Sequence, residues 1–163
     1  MTTDKDVAFS NPVFRLIDKA TALISYLSPF LDLGLRLWVA NVFWKSGLQK
    51  TQSWDSTLML FEYEYSVPVL PFDVAAYLAT GVELVAPVLL LLGLGTRVGA
   101  LGLFILNYIA AISYPDINIA GIKDHMLWGT MLAVTFFHGP GKISVDYFLK
   151  RKLLVYNSWF SGR

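Results

Sequence analysis

Glu83 stands near the middle of an otherwise apolar stretch, Val74 to Gly95. A bilayer core about 30 Å thick is crossed by roughly 20 residues of helix. A carboxylate at that depth is costly unless it is neutral, paired or facing water, so it marks a functional or structural site. Three other apolar segments carry Arg36, Asn107 and His125. At 100° per residue, Arg36 shares a helix face with Ala40, Phe43, Gly47 and Lys50, and Glu83 with Ala76, Ala79, Thr80 and Pro87. Asn107 falls with Gly99, Leu103 and Ala110, and His125 with Gly121, Gly129 and Leu132. If these faces converge, Arg36, Glu83, Asn107 and His125 form one polar core, with Arg36 and Glu83 as an ion pair. Such a core either fixes helix register or handles protons and binds a ligand. His125, titrating near neutrality, is a proton carrier in the second case and a satisfied structural residue in the first.

Several cofactors can be argued against. The two histidines, His125 and His138, lie 13 residues apart, about 20 Å along one helix and on different faces. They cannot be the two axial ligands of one haem within one chain. With no cysteine, the chain holds no disulfide, thiolate metal site or cysteine-ligated iron–sulfur cluster. No metal-ligand cluster, phosphate-binding loop or nucleotide-binding glycine pattern appears, so no metal is expected. Trp38, Tyr108 and Trp128 could line a quinone pocket, although aromatic belts at membrane interfaces explain such residues too.

Four spans would position these groups. The first runs from about Leu31 to Gly47, with Arg36 and Lys45 inside it, and the second is the Glu83 stretch. The third, Val98 to Pro115, is uncharged, and the fourth runs from about Ile122 to His138, stopped by Gly139-Pro140-Gly141. Before them, Asn11-Pro12 reads as a helix start, with apolar residues at helical spacing up to Pro29. After them, Ser144 to Tyr156 sets Phe148, Leu149, Leu153 and Leu154 beside Lys150-Arg151-Lys152, as in a helix lying on an anionic membrane face. The 51–72 loop carries too many large apolar residues to be free, and a short re-entrant or interfacial helix is expected within it.

Composition agrees with a membrane protein. Of 163 residues, 55% are hydrophobic and 15% charged, where soluble domains are about a quarter charged. The mean hydropathy is +0.54. A net charge of +1 leaves no footprint for nucleic acid. The N-terminus does not read as a cleavable signal peptide. Lys5, Arg15, Lys19, Arg97, Lys142, Lys150, Arg151, Lys152 and Arg163 fall on one side of the predicted spans, against Lys50 and Lys123 on the other. By the positive-inside rule both termini are expected in the cytoplasm and the 51–72 loop outside.

Three motifs in this order resemble the DoxX family of small four-helix bacterial membrane proteins. They are Arg36 followed by Ser46-Gly47-Leu48-x-Lys50, Glu83 followed by Gly93-Leu94-Gly95-Thr96-Arg97, and Gly139-Pro140-Gly141-x-x-Ser144-x-Asp146. The resemblance covers about residues 31–150. Trp54-Asp55, Phe61 to Tyr65, His125 and Trp128 resemble a proteobacterial subgroup often found beside genes for modified metal-binding peptides. It implies an inner-membrane fold and, unevenly, an activity. Some relatives form the membrane part of a thiosulfate:quinone oxidoreductase, others are linked to thiol and oxidative stress complexes, and animal relatives assist receptor assembly.

The expectation is therefore an all-α transmembrane four-helix bundle in the bacterial inner membrane, with amphipathic interfacial helices at both ends. Residues 1–30 form the N-terminal helix, 31–141 the four-span domain and 142–163 the basic tail. The leading function is a membrane subunit of a quinone-linked redox or stress-response system, with the polar core as its site. The competing one is a non-enzymatic scaffold that binds another protein through the 51–72 loop. A transporter is disfavoured by the shortage of midplane charges and the lack of an internal repeat. The implied partners are the lipid bilayer and a second protein or further copies of the chain.

Overall fold

Long apolar runs satisfy their backbone hydrogen bonds in a bilayer only as helices or closed barrels, and this chain forms helices. A computed structural model describes residues 12–161, with side chains described as far as residue 153. The helices are α1 (Pro12–Gln52), α2 (Trp54–Tyr63), α3 (Phe72–Leu92), α4 (Thr96–Ser113), α5 (Ile119–His138) and α6 (Val145–Ser161). Helix α1 packs on α3, α3 on α4, α4 on α5, and α5 back on α1, closing a four-helix bundle. Its core joins Val39, Ala40 and Phe43 to Ala86, Leu90, Ala100, Leu103 and Leu132. The small residues let the backbones approach closely, which is how helices gain contact within a membrane.

Among the described residues, α1, α3 and α4 are long and apolar enough to cross a membrane. Helix α5 has comparable length, 20 residues, but Lys123, Asp124 and His125 near its start lower its hydropathy. Span boundaries lie within about three residues of the expected ones, except in α1. There the expected break at Pro29 does not occur, and one helix of 41 residues runs through it. Pro29 removes the donor that would reach the Ser25 carbonyl. The preceding turns carry hydroxyl back-bonds, Thr21 to the Ile17 carbonyl and Ser25 to the Thr21 carbonyl, each 2.9 Å. Such side chains help to accommodate proline in membrane helices. The expected Asn11 cap lies outside the described residues.

The short helix expected in the 51–72 loop is α2. Ser53 caps it, its hydroxyl accepting from the Ser56 amide, with Asp55 in the first turn. Phe61 then seats on a bed of alanines, Ala75, Ala76 and Ala79, on α3. At its far end, the Ser66 amide donates to the Ser113 carbonyl at 2.7 Å, tying the following loop to α4. The α3–α4 and α5–α6 turns form the basic end of the molecule, and the α1–α2, α2–α3 and α4–α5 connections form the loop end.

Candidate functional site

Gly47 places the site. It lies so close to Glu83 that a β-carbon there would stand 3.0 Å from the Glu83 Cβ and 3.1 Å from its carbonyl carbon. The close crossing of α1 and α3 lets the residue just before Gly47 and the one a turn after it reach the carboxylate. Ser46 Oγ donates to Glu83 Oε1 at 3.0 Å. Lys50 Nζ donates to Oε1 at 2.9 Å and Oε2 at 2.7 Å. Lys50 also donates to Ser46 Oγ at 2.9 Å, closing a triangle. Glu83 is only 7% exposed, so this triangle is what makes a carboxylate tolerable there.

Arg36 does not reach Glu83, and the expected ion pair between them does not form. Arg36 is buried against Gly93 and Ser144 at the basic end, and its Nη2 donates to the Ile143 carbonyl. Its Nε and Nη1 have no hydrogen-bond partner among the described residues, with the carboxylates of Asp32 and Asp146 supplying the nearby negative charge. The correction has a simple cause. Arg36 and Lys50 share a helix face, and helical phase specifies a face but not a height. Antiparallel packing sets Arg36 against Gly93 and Gly47 against Glu83, so Lys50 is the cation at the carboxylate's level.

The Asn107 and His125 faces do meet. Asn107 Oδ1 lies 2.8 Å from His125 Nδ1, and Asn107 Nδ2 donates to the His125 carbonyl at 2.9 Å. Gly129, one turn along α5, leaves room for the Asn107 amide. The expected single polar core of four residues is therefore three separate clusters: Arg36 at the basic end, Glu83 with Lys50, and Asn107 with His125.

Two of these clusters share a cavity of about 730 Å³ at the loop end. Ser46, Lys50 and Glu83 line one side, His125 and Trp128 the other, and Phe61 and Tyr65 lie over it. Burial, with Glu83, Tyr114 and Glu64 adding to it, pushes the Tyr65 phenol above its ordinary pKa, so it is a neutral donor. Phe61 and Tyr114 hold its ring edge-on at 5.0 Å and 5.6 Å between centroids. His125 stands edge-on to Trp128 at 5.1 Å. A second, apolar groove of about 890 Å³ runs between α4 and α5, with His125 in its wall as well. The three aromatic candidates do not form one pocket. Trp128 lines the cavity, Tyr108 lines the groove, and Trp38 is 61% exposed and lines neither.

Lys50, Ser46 and Tyr65 were missed as site residues from sequence, although Lys50 sits on the Arg36–Gly47 face. Asp146 stands in the first turn of α6, where an acid needs no distant partner. Ser144 does cap α6, its hydroxyl accepting from the Tyr147 amide at 3.2 Å. Asp146 reaches across to cap α4 instead. Its oxygens accept from the Gly95 amide at 2.8 Å and from the Thr96 amide and hydroxyl at 2.9 and 3.0 Å. Glycine at the start of α4 has no side chain to do this, so the acceptor comes from 51 residues away.

Comparison with known proteins agrees with the fold. The DoxX family profile matches residues 31–115, more than half of the chain. An uncharacterised protein of Haemophilus influenzae is 32% identical over 132 residues, covering 77% of this chain and 86% of that relative. No solved structure gives a significant match. From the profile match, the relative and the closed bundle of apolar helices, the chain is a membrane protein belonging to the DoxX family.

Proposed function

We propose that the chain is the membrane subunit of a quinone-linked redox or stress-response system of the bacterial inner membrane, and that the loop-end cavity takes a quinone ring. One observation carries this reading: aromatic and apolar walls enclose the Lys50–Glu83 pair and His125 in a single cavity of about 730 Å³. Small-molecule sites are mostly apolar, with a few convergent polar groups, and span roughly 300–1,000 Å³. The Tyr65 phenol offers a donor to a ring carbonyl, and the Lys50 ammonium, its three donors engaged by Glu83 and Ser46, contributes its charge beside the ring. Glu83 and His125 are groups that can hold or pass a proton at that ring. A bound quinone supplies the electron-accepting chemistry. The electrons are assigned to a partner subunit, because the chain has no cysteine for thiol redox chemistry.

The Lys/Arg distribution supports cytoplasmic termini. Arg15, Lys19, Arg97, Lys142, Lys150, Arg151 and Lys152 fall toward the basic end, against Lys45, Lys50 and Lys123 at the loop end. The test is purification in mild detergent from quinone-replete membranes. Quinone should be extracted with the wild-type protein and lost from Glu83→Gln, while a Lys123→Gln control keeps it. A wild-type extract free of quinone would sink the reading.

A second reading, a scaffold, rests on the loop end's outer surface. Met59 and Tyr63 are exposed there, and Val69 is fully exposed at a φ of 72°. In that reading the Lys50–Glu83 pair only holds helices together. Tyr63→Ser with Val69→Ser should then remove a co-purifying protein, and Glu83→Gln should leave it bound.

A further inference from the structure

The basic end holds a cavity of about 680 Å³ that the proposed function does not use. Arg97, Lys142 and Lys150 line it, and none has a hydrogen-bond or ion-pair partner among the described residues. Two acids also line it. Asp146 is taken up by the start of α4, and Asp32 lies against Gly141 with His138 Nδ1 at 3.8 Å. Even with both acids counted, the wall carries a net positive charge.

These cations are placed by packing. Arg97 lays its guanidinium over Gly139, which turns the chain at a φ of +94°. Lys142 follows Gly141, which sits at a φ of +71°. Lys150 stands one turn after Asp146 on α6, so the Asp146 clamp on α4 also sets the direction of Lys150. A planar guanidinium fork with two ammonium groups suits an anion with several oxygens on one centre. The Ser28 hydroxyl in the same wall has no partner among the described residues and adds a donor.

The level of the cavity indicates where such an anion comes from. Helix α3 ends at Leu92, α4 starts at Thr96 and α5 ends at His138, all at this end of the bundle. In a bilayer, the ends of spanning helices meet the phosphate layer. Val98, in the same wall, is 73% exposed and offers acyl chains an apolar surface.

We propose that this cavity is a phosphate site, filled by the phosphodiester headgroup of an anionic phospholipid or by free phosphate. The test is native mass spectrometry of the full chain in detergent, titrated with phosphatidylglycerol and phosphatidylcholine. Phosphatidylglycerol should be retained in preference. Lys142→Gln and Lys150→Gln should each weaken its retention about five-fold, the loss of one surface charge, and Lys123→Gln at the loop end should not. The two exposed lysines carry the test without disturbing the packing of Arg97 over Gly139. In a parallel arm, inorganic phosphate is added to protein free of anionic lipid. A melting-temperature rise in wild type but not in the double lysine variant, without a lipid preference, assigns the site to soluble phosphate. Equal retention of both lipids together with no phosphate effect overturns the proposal, as does equal loss of retention in Lys123→Gln.

Discussion

Lys50 Nζ contacts both carboxylate oxygens of Glu83, at 2.9 and 2.7 Å, across the closest approach of α1 and α3. Helix α2 lies over the pair, with the Thr57 hydroxyl donating to the Lys50 carbonyl at 2.8 Å. Burying two charges is expensive, and their attraction offsets the cost only when the remaining hydrogen-bonding capacity is also met. Ser46 meets it here by donating to Glu83 and accepting from Lys50.

Removing one partner should therefore be far worse than removing both. Lys50→Met leaves Glu83 buried without its cation, at a cost of about 3–5 kcal/mol, and Glu83→Leu strands Lys50 similarly. The double variant should recover most of that loss. Reversible unfolding in mixed detergent micelles, arranged as a double-mutant cycle, measures the coupling. A coupling near zero would mean that the pair does not hold α1 to α3.

Asn107→Leu should loosen α4 from α5 by about 1 kcal/mol, the usual scale for hydrogen bonds between membrane helices. His125→Ala removes the same ring contact, so the two losses should not add. Hydrogen exchange along α4 and α5 in the two single variants and the double variant checks this.

Gly93 and Gly95 make a matched comparison. Both have positive φ, 68° and 56°, so a β-carbon at either costs about 1 kcal/mol or more in backbone strain. At Gly95 it meets nothing within 4 Å, whereas at Gly93 it collides with Arg36 and Ser144. Gly93→Ala should thus melt well below Gly95→Ala, and equal melting temperatures would contradict the packing described at the basic end.

Asp146 gives a pH dependence of definite sign. Burial alone would raise its pKa, but the Thr96 and Gly95 amides, the Thr96 hydroxyl and the Arg36 charge outweigh burial and hold it below the usual carboxylate value. A depressed folded pKa gives stability that is present above the unfolded value and lost as pH falls through the folded one. Exchange at the Gly95 and Thr96 amides should therefore accelerate in acid relative to the intrinsic rate. Asp146→Asn should lose that pH dependence.

The spans and their inward faces were legible because apolar periodicity reports burial directly. Asn107 and His125 illustrate this: both sit on small-residue faces, and both faces meet. The Arg36–Glu83 pairing failed because phase along a single helix carries no information about the height of its neighbour. Pro29 misled for a local reason, since the hydroxyls of Thr21 and Ser25 support a helix that proline would otherwise interrupt. The Asp146 clamp was hidden because it joins residues 51 positions apart through a side chain that also fits a simpler local role.

Helix α1 ties the two ends of the molecule together. Arg36 and Lys50 ride on one uninterrupted rod, 14 residues and about 21 Å apart on nearly the same side. A sliding or twisting of that rod strong enough to pull Arg36 from the Ile143 carbonyl would drag Lys50 off Glu83 in the same stroke. The protein thus has a mechanical linkage across its own thickness, with a latch at each end.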